Sequence, residues 1–385
     1  MGGDRLRTFQ VVKHLSRRHR VTIASFVEHA QEADAAAPYR DLYERLIPVV
    51  LPKEQSHLNC LRGLASSDPL QVHYYASSAM RAAVRGELAT GRYDAVFCHL
   101  IRMAQYLPDD PGVRKVLDFC DAISLLHARS SPLRHGVGWS SLVNAVEARR
   151  VGPYERSCLH RADVSIFISA VDADYFQRAG AKGRIGVMSN GVDIDAFPFH
   201  DGARDENRIV FVGNMRTFPN TDAVVYFVEE VLPLIRVARP ETTFYIVGNE
   251  PPRRVQKLHD GEHVIVTGRV DSVVPYLAGA AVAVAPMRAA VGIQNKILES
   301  LAIGTPVVTT HMGAEGLDPD LLAVADSPQA FARATLELMQ NETRRRERSR
   351  AGRAYVETHC SWDQALSVLD SFLSGAPARE ATLVT

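Results

Sequence analysis

Apolar residues fall in two alternating kinds of run along this chain. Short β-branched or alanine-rich runs read as strands, and longer runs with apolar positions three or four apart read as helices. The first half reads as a Gly-rich turn, a helix from about Leu6 to Arg18, and a strand over Val21 to Val27. Further strands are expected at Ile47 to Leu51, Tyr93 to His99, Val116 to Phe119 and Val164 to Ile168, with helices at Met80 to Thr90 and Ser141 to His160. The second half restarts the alternation. Strands are expected at Ile209 to Val212, Phe244 to Val247, Val264 to Thr267 and Val282 to Ala285, with another opening at Val307 and one at Leu321 to Val324. A helix over Thr221 to Ala238 carries Phe227, Val231 and Ile235 four apart, and a short helix spans Val273 to Ala278. Helices are expected between about Gln329 and Cys360, with a last amphipathic helix over Trp362 to Leu373. Such alternation implies an α/β protein with largely parallel sheets and helices on both faces.

The pattern divides the chain into a first domain over residues 1–198 and a second over 199–360, with a terminal helix over 361–374 and a disordered tail over 375–385. The polar run FHDGARDEN (Phe199 to Asn207) reads as the linker. The start is abrupt. A Gly-rich turn that opens a helix normally follows a strand, and only Met1 precedes Gly2. The expectation is that the first, central strand is missing, which leaves a gap in the sheet or forces an altered pairing.

With 385 residues there is room for two domains of ordinary size. Composition is 46% apolar and 23% charged, which supports substantial cores, and 44 basic residues balance 44 acidic ones. That balance argues against a dedicated nucleic-acid binder. The five cysteines are odd in number and lack metal-ligand spacing, which suggests a reducing compartment. No apolar run reaches the ~20 residues of a membrane span, and the start lacks a signal-peptide pattern. A cytoplasmic protein is expected, with peripheral contact at the inner membrane face left open.

The densest chemistry lies in Pro286 to Thr310, PMRAAVGIQNKILESLAIGTPVVTT, which reads as loop, helix, turn and strand. Ile293, Ile297, Leu298 and Leu301 share one face, Gly292 precedes the helix, and Gly304 and Pro306 end it. A helix start offers free N–H groups and partial positive charge to a phosphate. Lys296 adds a full charge there, and Glu299, one turn on, is placed to accept hydrogen bonds from a ribose diol. The plainer alternative is a solvated Lys–Glu pair.

The segment GIQNKILESLAIGTPVVTT resembles the donor-nucleotide segment of family 4 glycosyltransferases. The segments SNGVDIDAF, FVGNMRTFPNTDAVVYFVEEVLP and TGRVDSVVPYLAGAAVAVAPMR resemble that family too, most closely its sugar transferase group associated with PEP-CTERM exopolysaccharide systems. The resemblance covers nearly the whole chain and is strongest from about Asn207 to Thr310. It implies a GT-B fold, two Rossmann-like domains facing a cleft, with the terminal helix crossing back to the first. It implies a retaining transfer from a nucleoside diphosphate sugar, UDP-linked by expectation, to a saccharide or lipid-linked acceptor, with no cofactor and no bound metal.

By that resemblance Glu299 binds the donor ribose, and Lys296 fits a K-x-x-E branch of the family. Val291 stands where many members carry a second Glu. Lys296, Arg216 and the helix start at Gly292 and Asn295 are candidates to neutralise the departing diphosphate, with Gly213, Gly268 and Arg269 ending neighbouring strands. Arg216 reads equally as a solvated loop residue. In the first domain the candidates are Gly3, Asp4 and Arg5 in the opening turn, and Asp118 and Asp121 as groups that orient an acceptor hydroxyl. Asp4 reads more readily as a helix N-cap, Asp121 reads equally as a cap, and His99 at a strand end as structural. The basic runs Arg17 to Arg20 and Arg344 to Arg350 read as solvated faces, and the first is a candidate for contact with an anionic membrane. Two rival readings remain: a GT-B sugar-nucleotide epimerase, and a non-catalytic nucleotide-binding or scaffold protein.

Overall fold

The structure, a computed structural model, describes residues 3–134, 139–180 and 183–374. These form two compact units, one holding residues 3–127, 139–188 and 366–374 and the other 128–134 and 189–365. The expected disordered tail lies outside the described residues.

The first unit carries β1 (Thr22–Val27), β2 (Arg45–Val50), β3 (Ala95–His99), β4 (Arg114–Cys120), β5 (Val164–Phe167) and β6 (Arg184–Val187). All pairings are parallel, but they fall in two sheets, β1-β2 and β3-β4-β5-β6. Among the described residues no strand bridges them. The helix Ser78–Leu88, capped by Ser77 accepting from the Met80 N–H, packs Met80 against Val49 and Tyr106. A hydrogen bond from the Tyr93 hydroxyl to Thr22 Oγ1 (3.1 Å) spans the same gap. The main core is aromatic, with Phe167 stacked on Phe176 (5.0 Å between centroids) and tilted against Phe119 (4.7 Å).

The expected last helix is broken into Trp362–Leu366 and Leu369–Ser374. The second piece belongs to the first unit, where it lies against β4 and Arg114 donates to the Phe372 carbonyl.

The second unit holds one six-stranded parallel sheet of β7 (Asp205–Val212), β8 (Thr243–Val247), β9 (Val264–Gly268), β10 (Ala280–Ala285), β11 (Val307–Thr309) and β12 (Ala323–Val324). Its order is β12-β11-β10-β7-β8-β9, which places the topological switch between β7 and β10. Open parallel sheets bind ligands at the carboxyl ends of the strands that flank such a switch. β10 is buried along its whole length, which is why its sequence is a continuous apolar run rather than an alternating one. The expected Thr221–Ala238 helix is instead Phe218–Tyr226, a π-helical turn at Phe227–Val231, and Leu232–Ala238. Pro233 lacks an N–H and displaces the preceding turn, which accounts for the wider turn before it.

Arg204 overturns the linker reading of Phe199 to Asn207. Its guanidinium donates to the carbonyls of Leu277, Ala278 and Ala280 and to Thr305 Oγ1 from one nitrogen, and to those of His200, Ile303 and Gly304 from another. It thus gathers the carboxyl ends of the helices Val274–Gly279 and Asn295–Ile303, where carbonyls lack helical partners. Burial lowers its pKa to about 10. The expected solvated face at Arg344 to Arg350 is corrected at Arg345, which is 6% exposed and donates to Leu338, Met339 and Glu206.

Candidate functional site

The loop that follows β10 and the helix Asn295–Ile303 stand at the switch point of the second sheet. The helix N-cap, Gln294, makes no side-chain cap, and in the first turn the Ile297 N–H bonds back to the Gln294 carbonyl (2.9 Å). Gly292 enters the helix at φ +64°, a conformation that a β-carbon disfavours. Two arginines fix this loop. Arg288 forms a two-pronged pair with buried Asp222 (2.9 and 2.6 Å) under the Tyr226 ring, and Arg129 donates to the Ala290 carbonyl (2.7 Å) and to both oxygens of Glu315.

Lys296 is partly buried. Its ammonium donates to Gln294 Oε1 (2.9 Å) and lies 5.5 Å from the Phe211 ring centre. Burial pulls its pKa down to about 8, against the attraction of Glu299. The same burial pushes Glu299 up to about 7, against the attraction of Lys296. The two charges feel each other, yet no ion pair joins them among the described residues, and the Glu299 carboxylate accepts no hydrogen bond there. A carboxylate left this way has desolvation to recover from any donor that reaches it. The solvated-pair alternative therefore does not describe this site. Asn295, on the first turn, accepts from Asn190 Nδ2 (3.0 Å). Val291 is buried and brings no carboxylate.

The neighbouring strand ends meet closely. A β-carbon on Gly248, after β8, would sit 1.7 Å from the Gly213 carbonyl oxygen, after β7. Gly213 itself packs against the Asn220 side chain, so its small size first serves packing. Arg216 is 75% exposed and stands 3.5 Å from Glu250, the solvated-loop alternative. Gly268 has φ +67° with open space where a side chain would point, and Arg269 beside it is exposed.

In the first unit the structure corrects the reading of Asp118. It is fully buried on β4, with its carboxylate held by Arg7 Nε (2.8 Å) and Nη2 (3.0 Å), His99 Nδ1 (3.0 Å) and the Cys120 N–H (3.2 Å). Both oxygens are held by guanidinium, imidazole and backbone donors, so a neutral acceptor hydroxyl finds no free lobe there. Burial works against its charge, but Arg7 and His99 overcome this and hold it well below the carboxylate range. Arg7 was not foreseen, because a lone arginine on an amphipathic helix reads as solvated.

Asp121 lies just beyond β4, and its carboxylate accepts no hydrogen bond among the described residues; burial, then Asp172, push its pKa up to about 7. Glu155, not Asp121, closes the helix Ile123–Ser130, accepting from the Ile123 and Ser124 N–H groups (2.7 and 3.1 Å). Gly3 and Asp4 open the helix Gly3–Leu15, and Arg5 beside them is exposed. Much of the first basic run is already paired, Arg18 and His19 with Asp370 and Arg20 with Glu44. No helix among the described residues is long and apolar enough to cross a membrane.

Residues 206–341 match the model of the family described as glycosyl transferases group 1. The match contains β7 from its second residue, β8 to β12 and every donor-side candidate. The chain is a glycosyltransferase with the GT-B fold. A relative of this glycosyltransferase, the GDP-mannose-dependent monoacylated alpha-(1-6)-phosphatidylinositol monomannoside mannosyltransferase of Corynebacterium glutamicum, is 25% identical over 272 residues, 63% of this chain and 68% of the relative. Sucrose-phosphate synthase of Thermosynechococcus elongatus shares the fold at TM-score 0.69 and 17% identity, covering 98% of this chain and 95% of that one. HepE of Anabaena, solved with UDP and glucose, does so at TM-score 0.63 and 14% identity, covering 97% and 96%. WaaG, a glycosyltransferase involved in lipopolysaccharide biosynthesis, does so at TM-score 0.64 and 16% identity, covering 97% of each.

Proposed function

We propose that this glycosyltransferase moves a sugar from a UDP-linked donor to a saccharide or lipid-linked acceptor, with retention of anomeric configuration, in exopolysaccharide synthesis inside the cell. The observation that carries the donor half is the open Glu299 carboxylate one turn behind Lys296 and an uncapped helix start. The ribose diol donates to Glu299. The diphosphate takes the helix N–H groups and the Lys296 ammonium, which draw off charge as the bond from the sugar C1 to the diphosphate oxygen breaks. The acceptor oxygen bonds to C1, and its proton passes to the departing phosphate oxygen. This scheme uses no cofactor and asks for no metal at the diphosphate.

Asp121 is the first-unit group we assign to the acceptor, because Asp118 is saturated and Asp121 is not. The exopolysaccharide assignment rests on the resemblance of the second-half motifs to the PEP-CTERM-associated group. A GDP-linked donor is the second reading, supported by the GDP-mannose dependence of the Corynebacterium relative. Incubation with UDP- and GDP-linked hexoses, with nucleotide release and product anomer followed by NMR, separates the two. Release of UDP with an axial-to-axial product supports the proposal. Release of GDP alone moves the donor to the second reading, and an inverted product overturns the retaining mechanism.

A further inference from the structure

The ends of β3 and β4 bring together three side chains that the donor chemistry does not use. His99 Nδ1, Asp118 Oδ2 and Cys120 Sγ stand 3.0, 3.7 and 3.7 Å apart pairwise. Among the described residues these are the one group of histidine, cysteine and acidic side chains close enough to share an ion. Zinc–ligand bonds of about 2.0–2.1 Å to nitrogen or oxygen and about 2.3 Å to sulfur give tetrahedral ligand–ligand edges of about 3.3–3.6 Å. The observed triangle brackets those edges without movement of the backbone.

The surroundings favour one orientation of the set. The Asp118 Oδ1 atom is held by Arg7 Nη2 and by the Cys120 N–H, which turns Oδ2 toward His99 and Cys120. Arg7 Nη2 is itself fixed on the Met188 carbonyl (2.9 Å). Metal-bound carboxylates are oriented by such outer hydrogen bonds. Cys120 adopts φ +63°, in a region that a residue with a β-carbon enters at a cost, and the β4–β5 register shifts between Asp118 and Cys120. That irregularity sets the thiol beside the carboxylate two positions earlier, where a regular strand would space them farther apart. His99 is 15% exposed and gives the set its opening to solvent.

We propose that His99, Asp118 and Cys120 form a site for a borderline-soft divalent cation of the zinc class, with three protein ligands and one open position. The ligand set is one nitrogen, one oxygen and one sulfur, which disfavours magnesium and calcium. Binding releases the Cys120 thiol proton to solvent, and the His99 ring takes the tautomer with its proton on Nε2, which frees the Nδ1 lone pair for the metal. Arg7 keeps its bond to Oδ1 and yields Oδ2. The site lies in the first unit, and Lys296 and Glu299 in the second.

Cobalt(II) is the probe, because a thiolate on cobalt gives a charge-transfer band in the near ultraviolet and tetrahedral cobalt gives strong visible bands. The full chain, stripped with chelator, is titrated with cobalt and then with zinc. The expected result is one equivalent of cobalt bound with both features, displaced by zinc. The thiolate band is lost in Cys120→Ser, and the visible bands shift in His99→Gln. A wild type that shows no thiolate band overturns the site, as does a band that persists in Cys120→Ser. The wild-type titration decides the matter even where a variant does not fold.

Discussion

Arg7 and Asp118, 111 positions apart, are joined by two hydrogen bonds and are 1% and 0% exposed. The pair ties the first helix of the chain to β4 of the first unit. Breaking a buried pair strands a charge, whereas replacing both partners with apolar groups does not. Asp118→Asn is predicted to cost about 3–5 kcal/mol in denaturant unfolding. The double variant Arg7→Met, Asp118→Leu is predicted to recover most of that loss. Because the Asp118 pKa is depressed in the fold, this contribution is present above about pH 4 and is lost as pH falls below it. An Asp118→Asn variant within about 1 kcal/mol of the parent would show that the pair does not stabilise the fold.

Asp121 behaves in the opposite sense. Its folded pKa of about 7 is above the unfolded value, so the fold binds this proton more tightly than the open chain does. Stability from this residue is therefore full below about pH 4 and falls as pH rises toward 7. Asp121→Asn keeps the shape without the charge. It is predicted to stabilise the protein by about 1–3 kcal/mol at pH 8, with little effect at pH 4, and to lower sugar transfer. Thermal unfolding at the two pH values, beside a transfer assay, checks this. Equal shifts at both pH values contradict it.

The four Nη hydrogens of Arg204 are shared among seven carbonyl and hydroxyl oxygens, most of them at the carboxyl ends of two helices. Arg204→Leu leaves several of them without a donor, each worth about 1–3 kcal/mol when buried. The predicted loss exceeds about 3 kcal/mol and includes loosening of the Gly304 turn behind the donor helix. Hydrogen exchange is expected to rise over Asn295–Ile303 in this variant. Unchanged exchange there argues against the role of Arg204 as the clasp.

Two glycines that end neighbouring strands differ in what they tolerate. At Gly248 a methyl group meets the Gly213 carbonyl at 1.7 Å, backbone against backbone, so Gly248→Ala must separate β7 from β8. At Gly268 the space is open and only the positive φ resists substitution. Gly268→Ala is predicted to cost about 1–2 kcal/mol and Gly248→Ala more, with weaker nucleotide binding in Gly248→Ala. Comparison of their unfolding midpoints tests the order.

The second unit was the more legible in sequence. Each of its six strands was read within a few residues, because parallel strands buried on both faces leave continuous apolar runs such as AAVAVA. The helix Asn295–Ile303 and its Gly292 and Gly304 borders were read for the same reason: start and stop chemistry is local. What stayed hidden was long-range. Arg204 looked like part of a polar linker and Arg7 carried no signal at all, since their partners lie far along the chain. The saturation of Asp118 could not be read from LDFCDAIS, because two of its partners, Arg7 and His99, come from other elements. The strand Arg184–Val187 escaped notice because four residues with a Gly carry little pattern.

Calorimetric titration with UDP, GDP and ADP, on the wild type and on Glu299→Ala, tests most directly the proposal that Glu299 accepts hydrogen bonds from the donor ribose. Hydrogen bonds to a charged group are worth about 1.5–3 kcal/mol, so the substitution is predicted to weaken UDP binding roughly ten- to hundredfold while the fold is kept. UDP is predicted to bind in preference to GDP and ADP. Equal affinity of Glu299→Ala and wild type, or no nucleotide binding by the folded wild type, would contradict the donor seat.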